Sequence, residues 1–298
     1  MKLLPCVYLL LMPLTACGGG GERVREFSGD SALAYVQVQV AFGPRVPNTE
    51  GHRRAGDWIV SRLATRADTV LVQPFSHVTT SGDTLKLRNI IGRFRPAATD
   101  RILYVAHWDT RPIADKEPNL ANQRRPIDGA NDGGSGVAVL LGVADALKQV
   151  PPGLGVDLLF VDGEDYGEWT PKKDVLLGSR FYAKNPLPGP QPLFAVVWDM
   201  VGDKDLVIYK EGHSVTNAPE VVERVWKAAA DLGYDDVFRD QVGTAIEDDH
   251  VPLLEVGIRA IDVIDLDYDA WHTLQDTIDK VSARSLQIVG DVAMALLR

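Results

Sequence analysis

Ile102-Leu103-Tyr104-Val105-Ala106-His107-Trp108-Asp109 is a run of apolar side chains that stops abruptly on a histidine and a carboxylate. A strand with one wet face alternates apolar and polar residues. A run without alternation belongs in a sheet covered on both faces. The spacing therefore predicts a buried strand over 101–106. Working outward, the residues over 134–149 are apolar at helical spacing, and Val156-Asp157-Leu158-Leu159-Phe160-Val161 predicts a second buried strand. Further strands are expected over 69–77, 84–94, 193–199, 205–210 and 258–264. Helices are expected over 31–42, 49–67 with Thr49 as cap, 174–184, 217–232 and 282–297. Strands that alternate with helices in this way define an α/β class. The expected architecture is three-layer α/β/α around a central twisted, mostly parallel mixed sheet.

The chain of 298 residues is long enough for one such domain, and no repeat or change of composition asks for a second. Its formal charge of −10 and the lack of any basic run exclude nucleic acid as a partner. Lys2 and the apolar stretch 3–12 look like the start of a signal peptide too short to span a bilayer. Leu14-Thr15-Ala16-Cys17 then resembles a bacterial lipobox. This divides the chain into a lipoprotein signal peptide (1–16), a lipid-anchored linker (17–27) and a single catalytic domain (28–298). The mature chain would sit in the bacterial cell envelope and touch membrane only through a lipid on Cys17. Cys6 leaves with the signal, so no cysteine remains for catalysis or metal. Any metal site must draw on His, Asp and Glu.

In open α/β sheets, ligands gather at the carboxyl ends of strands. The chemistry-bearing residues fall there. His107 and Asp109 end one predicted strand, Asp162-Gly163-Glu164-Asp165 ends the next, and Asp199 ends another. Gly129-Ala130-Asn131-Asp132-Gly133-Gly134 leads into a helix, and Trp271-His272 follows the last strand. Zinc takes imidazole nitrogens and carboxylate oxygens, three from the protein at a catalytic site. Asp132, Asp165 and His272 could supply those three. His107 and Asp199 could form a second site that shares Asp132. The Gly-rich loop lacks the spacing and lysine of a phosphate loop. His52, His77 and His213 read as structural or surface histidines.

Taken in order, Phe42-Gly43-Pro44-Arg45-Val46-Pro47-Asn48-Thr49, the segment 107–112, Gly129–Asp132, the segment 162–167, Leu177-Gly178-Ser179-Arg180, the segment 198–202, Glu247-Asp248-Asp249-His250 and Trp271-His272-Thr273 resemble the zinc aminopeptidase clan. Within it they resemble the glutaminyl cyclases, in particular bacterial cyclases of the animal type. The resemblance implies one zinc held by Asp132, Asp165 and His272, with Glu164 as the proton-transfer residue. It implies an acid network of Asp199 and Asp248 beside the substrate amine, and Trp169 and Trp271 as pocket walls. It places Glu247 and His107 among the substrate-binding residues. The expected reaction closes the N-terminal glutamine of a peptide to pyroglutamate and releases ammonia. Two positions depart from animal cyclases, which carry Glu at the place of Asp165 and Gln at the place of Glu247. The alternative is a zinc aminopeptidase of the same clan, in which Glu164 would activate water and a second metal would share Asp132. A catalytically silent binding lipoprotein is a third reading, and the presence of Glu164 beside a full ligand set argues against it.

Overall fold

The computed structural model describes residues 26–297. The expected signal peptide, the expected anchor position Cys17 and most of the expected linker lie outside the described residues. One end of the expected linker needs correction. Phe27 is a core residue, 5% exposed, and its ring lies so close to Gly142 and Gly290 that a Cβ at either would meet it at 2.4 or 2.3 Å.

Two helices open the fold, α1 (Gly29–Ala41) and α2 (Glu50–Ala64). Ser28 and Thr49 cap them through their hydroxyls, each satisfying a backbone N–H of the first turn. The main sheet follows, with β1 (Thr69–Val78), β2 (Thr84–Phe94), β3 (Arg101–His107), β4 (Gly155–Val161), β7 (Phe194–Asp199) and β10 (Ala260–Ile264). Their spatial order is β1-β2-β4-β3-β7-β10. β1, β2 and β4 pair antiparallel, while β4-β3, β3-β7 and β7-β10 are parallel. The sheet is mixed and mostly parallel, as expected.

The apolar runs lack alternation because both faces are covered. Ile102, Tyr104 and Ala106 of β3 join the larger core beneath α1, α3 (Gly134–Gln149) and α8 (Ala283–Ala295). Leu103 and Val105 of the same strand join the smaller core with Tyr182 of α4 (Leu177–Lys184) and Leu253 of α7 (His250–Glu255). At about 25 cal/mol per Å² of apolar area, such burial is the main favourable term in folding.

Two small sheets sit outside the main one. β5 (Glu168–Trp169) and β6 (Lys172–Lys173) form an antiparallel hairpin; β8 (Ile208–Lys210) pairs parallel with β9 (Phe238–Val242). The helix expected over 217–232 is α6 (Pro219–Asp231), and a short helix that was not expected, α5 (Gly212–Asn217), lies just ahead of it. Pro219 separates the two. Proline has no N–H to continue a helix but suits a first turn. Among the described residues no helix is long and apolar enough to cross a membrane.

Candidate active site

The four parallel-paired strands β4, β3, β7 and β10 end on one edge of the sheet, and the site lies there. His107 is the last residue of β3 and Asp199 the last of β7. Glu164 and Asp165 follow β4. Asp109 holds their backbone: its two carboxylate oxygens accept from Glu164 N at 3.1 Å and Asp165 N at 3.3 Å. Asp132 sits on the loop before α3. Asp276 fixes that loop by accepting from Asn131 N at 2.8 Å and Asp132 N at 3.1 Å. Buried Arg45 donates to the carbonyls of Trp108, Asp128 and Gly129. Gly133 has φ +79°, and a Cβ there would lie 2.7 Å from Asp109 O and 3.0 Å from the His107 ring. His272 carries the same left-handed backbone at φ 56°, uncommon for a residue with a Cβ.

These constraints bring together the three residues expected to hold zinc. Asp132 Oδ2 is 3.6 Å and Asp165 Oδ2 is 3.4 Å from His272 Nε2. Both oxygens are buried and have no hydrogen-bond partner. Two ligands about 2.0–2.1 Å from a tetrahedral centre lie about 3.3 Å apart, so the three donors fit zinc in type and spacing. The shorter Asp165 side chain therefore reaches. Its other oxygen accepts from Arg111 Nη1 at 2.7 Å and Trp169 Nε1 at 3.3 Å. His272 Nδ1 faces Asp115 Oδ1 at 3.1 Å, which orients the ring with Nε2 toward the carboxylates.

A second group adjoins the first. His107 Nε2 is 3.1 Å from Asp132 Oδ1 and 3.1 Å from Asp199 Oδ1. His107, Asp132 and Asp199 are also near enough together to hold a cation. Glu164 lies on the other side of the same ring, 3.6 Å from Nδ1.

Burial is the largest influence on Glu164. It lifts the carboxyl well above its ordinary value, and Asp165, Asp248 and Asp249 reinforce that against the pull of His107. Asp248 is raised well above its ordinary value by burial, Asp199 and Asp249. Asp165 is also pushed upward by burial, but His272 and Arg111 outweigh this and hold it low. His272 loses by burial and gains more from Asp165 and Asp115, ending at about 9.

The cavity over this constellation has a volume of about 350 Å³. Asp132, Glu164, Asp165, Asp199, Asp248 and His272 line it, with Trp169, Trp271 and Glu247 as walls. Every expected site residue is thus on its lining or, for His107, buried directly behind. Trp271 lies with its ring centroid 4.3 Å from that of His272, and Lys116 Nζ sits 5.1 Å from the Trp271 centroid. His52 and His77 are structural as expected, bonded to Asp162 and Asp174. His213 is the exception: it lines the cavity, where sequence reading made it structural or surface. It stands three residues past the strand expected over 205–210, and that strand end was the available signal. Glu211, His250 and Asp262 were missed too. They form a buried group behind Asp248, with His250 Nε2 3.3 Å from Glu211 Oε2 and His250 Nδ1 4.0 Å from Asp262 Oδ2. His250 belongs to the quoted 247–250 run, which was the available signal.

Comparison with known proteins places this geometry. The sequence model of Peptidase family M28 matches residues 89–297. A crystal structure of Bacteroides thetaiotaomicron glutaminyl cyclase, bound to N-acetylhistamine, superposes with a TM-score of 0.89 at 39% identity and covers 92% of this chain and 99% of that one. Porphyromonas gingivalis glutaminyl cyclase gives 0.88 at 41% identity, with 91% and 98% covered. Bacillus subtilis aminopeptidase YwaD is 28% identical over 91% of this chain. The chain spans 57% of that curated relative's length. Strand ends, ligand spacing and matched length agree, and the chain belongs to peptidase family M28.

Proposed function

We propose that the chain is a zinc-dependent glutaminyl cyclase acting on peptides or proteins with N-terminal glutamine. The observation that carries this reading is the pair of tryptophans, Trp169 and Trp271, that wall the cavity over the buried carboxyl of Glu164 and three donors spaced for zinc. Likeness to two glutaminyl cyclases over nearly their whole lengths supports it.

In the reaction the α-amine nitrogen bonds to the side-chain carbonyl carbon, the bond from that carbon to the amide nitrogen breaks, and ammonia leaves. Bound by Asp132, Asp165 and His272, zinc would supply Lewis-acid polarisation of the carbonyl. The nucleophile is tethered, so holding the folded conformer contributes up to about 7–11 kcal/mol in the best intramolecular cases. Trp169 and Trp271 hold it and exclude water, which limits hydrolysis. Glu164 takes a proton from the amine and delivers it to the leaving nitrogen. Asp248 and Asp199 face the amine, and burial beside Asp199 and Asp249 raises the Asp248 carboxyl well above its ordinary value. His107 positions Asp199 by hydrogen-bonding it through Nε2, which also lies 3.1 Å from Asp132 Oδ1.

A second reading is an M28 aminopeptidase. One observation favours it: Asp132 turns one oxygen to His107 and the other to His272, the attitude of a carboxylate shared by two metals. Mass spectrometry of a zinc-loaded reaction with a Gln-initiated peptide separates the two. Loss of one ammonia is the expected product; loss of the first residue would establish the aminopeptidase. We further propose a lipid anchor at Cys17 and a cell-envelope location, supported by Leu14-Thr15-Ala16-Cys17 alone.

A further inference from the structure

Two segments from distant parts of the chain frame the mouth of the cavity. One is the hairpin β5–β6, where Trp169 pairs across from Lys172. The other is the stretch 245–248 ahead of α7, which brings Glu247 and Asp248 to the lining. The hairpin has two residues in each strand and lies mostly exposed. A hairpin of that size has no stability of its own, so its tethers set its place. On one side Arg111 Nη1 donates to Gly167 O at 3.1 Å and Trp169 Nε1 to Asp165 Oδ1, tying the hairpin to the metal-ligand wall. Asp174 ties its base to His77 and Thr80. Across the mouth the tie is an ion pair between Lys172 Nζ and Glu247 Oε2, with side chains 34% and 39% exposed.

We propose that Lys172 is a positioning residue: through Glu247 it fixes the hairpin, and with it Trp169, against the segment that carries Asp248. This rests on the cyclase reading of the site. The tryptophan wall and the acid network then face each other at a set separation, and the glutamine residue fits between them. The pair has a second consequence. Glu247 is neutralised at the rim, so the incoming α-amine meets unpaired carboxyls only at the floor of the cavity. Because the pair is half exposed, its influence is limited to a few-fold and is sensitive to salt.

The test uses the whole zinc-loaded protein and the variants Lys172→Ala, Glu247→Ala, the double alanine variant and Lys172→Arg. Each single alanine variant is expected to raise KM for a Gln-initiated peptide about two- to fivefold, the range open to an exposed pair, with kcat nearly unchanged. The double variant should be no worse than either single, and Lys172→Arg should keep the wild-type KM. Wild-type KM should rise with salt and that of Lys172→Ala should not. Additive effects, or a fall in kcat at unchanged KM, would overturn the proposal. A readout without turnover separates it from the reaction assignment. Amide hydrogen exchange over 168–173 should be faster in Lys172→Ala than in wild type, and unchanged exchange overturns the tether. Faster exchange in a protein inactive on Gln-initiated peptides would uphold the tether and remove the cyclase reading.

Discussion

Glu164 and Asp165 are neighbours in the chain, both buried, and their environments drive them apart. Glu164 has no cationic partner strong enough to offset its burial among Asp165, Asp248 and Asp249. Asp165 has two, His272 and Arg111. Divergent pKa values in adjacent carboxyls are what the proposed roles ask for, a proton carrier at Glu164 and a ligand at Asp165. Glu164→Gln should therefore lower cyclisation by about 10²–10⁴-fold, the usual worth of a positioned proton shuttle. Zinc content should be unchanged. An ammonia-release assay beside metal analysis reads both, and full activity with zinc bound would remove Glu164 from the chemistry. The pair was legible because it ends a buried strand inside the 162–167 motif. Of the carboxylates that brace the site, Asp109 was noted only as a strand end and Asp276 was not singled out. Asp109 accepts the backbone N–H groups of Glu164 and Asp165, and Asp276 accepts that of Asp132. In a chain with 41 acidic residues, a carboxylate that braces a loop looks like one that solvates a surface.

Elements were legible to the degree that burial patterned them. β2 and α3 have the expected ends, because long apolar spacing leaves little freedom in where they start. The hairpin β5–β6, β9 and α7 were invisible, since five residues or so of mixed polarity carry no period. α5 was hidden for another reason. Its six residues have no apolar face, and its start is specified by Glu211, which accepts from His213 N at 2.7 Å, Ser214 N at 2.6 Å and Ser214 Oγ at 2.6 Å. Glu211 also accepts from Ile246 N at 2.9 Å, which anchors the segment leading to Asp248. One buried carboxylate thus caps a helix and fixes part of the active-site wall. Glu211→Ala would leave several buried donors unmet and cost about 2–4 kcal/mol of stability. Urea denaturation would measure that loss, and a change below about 0.5 kcal/mol would show that the cap is dispensable.

Across the whole molecule, the buried acids and histidines give the metal-free protein a definite pH dependence. Burial lifts Asp249 and Asp265 to about 7. An acid whose folded pKa is raised binds its proton more tightly in the native state. Its contribution is complete below the unfolded value near 3.9 and is lost as pH rises to about 7. His272 is raised to about 9 despite burial, because Asp165 and Asp115 surround it. Its contribution is complete below the unfolded value near 6.5 and is lost as pH rises to about 9. Glu211 runs the other way. Burial opposes its charge, yet bonds from His250, Ser214 and the backbone depress it to about 2. That contribution is lost only as pH falls from about 4.3 to about 2, outside the range in question. Chelated protein should therefore lose stability steadily from pH 5 to pH 9. Zinc offsets the upper half of the trend. Ligation needs His272 without its proton, so affinity for zinc rises with pH up to about 9. Free zinc at a hundred times its dissociation constant adds about 2.7 kcal/mol. Urea midpoints at pH 5, 7 and 9 would show the effect, the gap between zinc-loaded and chelated protein widening as pH rises. A gap that stayed constant would mean that His272 carries no proton in the metal-free fold. The imidazole would then be neutral between Asp115 and Asp165, and the electrostatic account of the ligand cluster would fail.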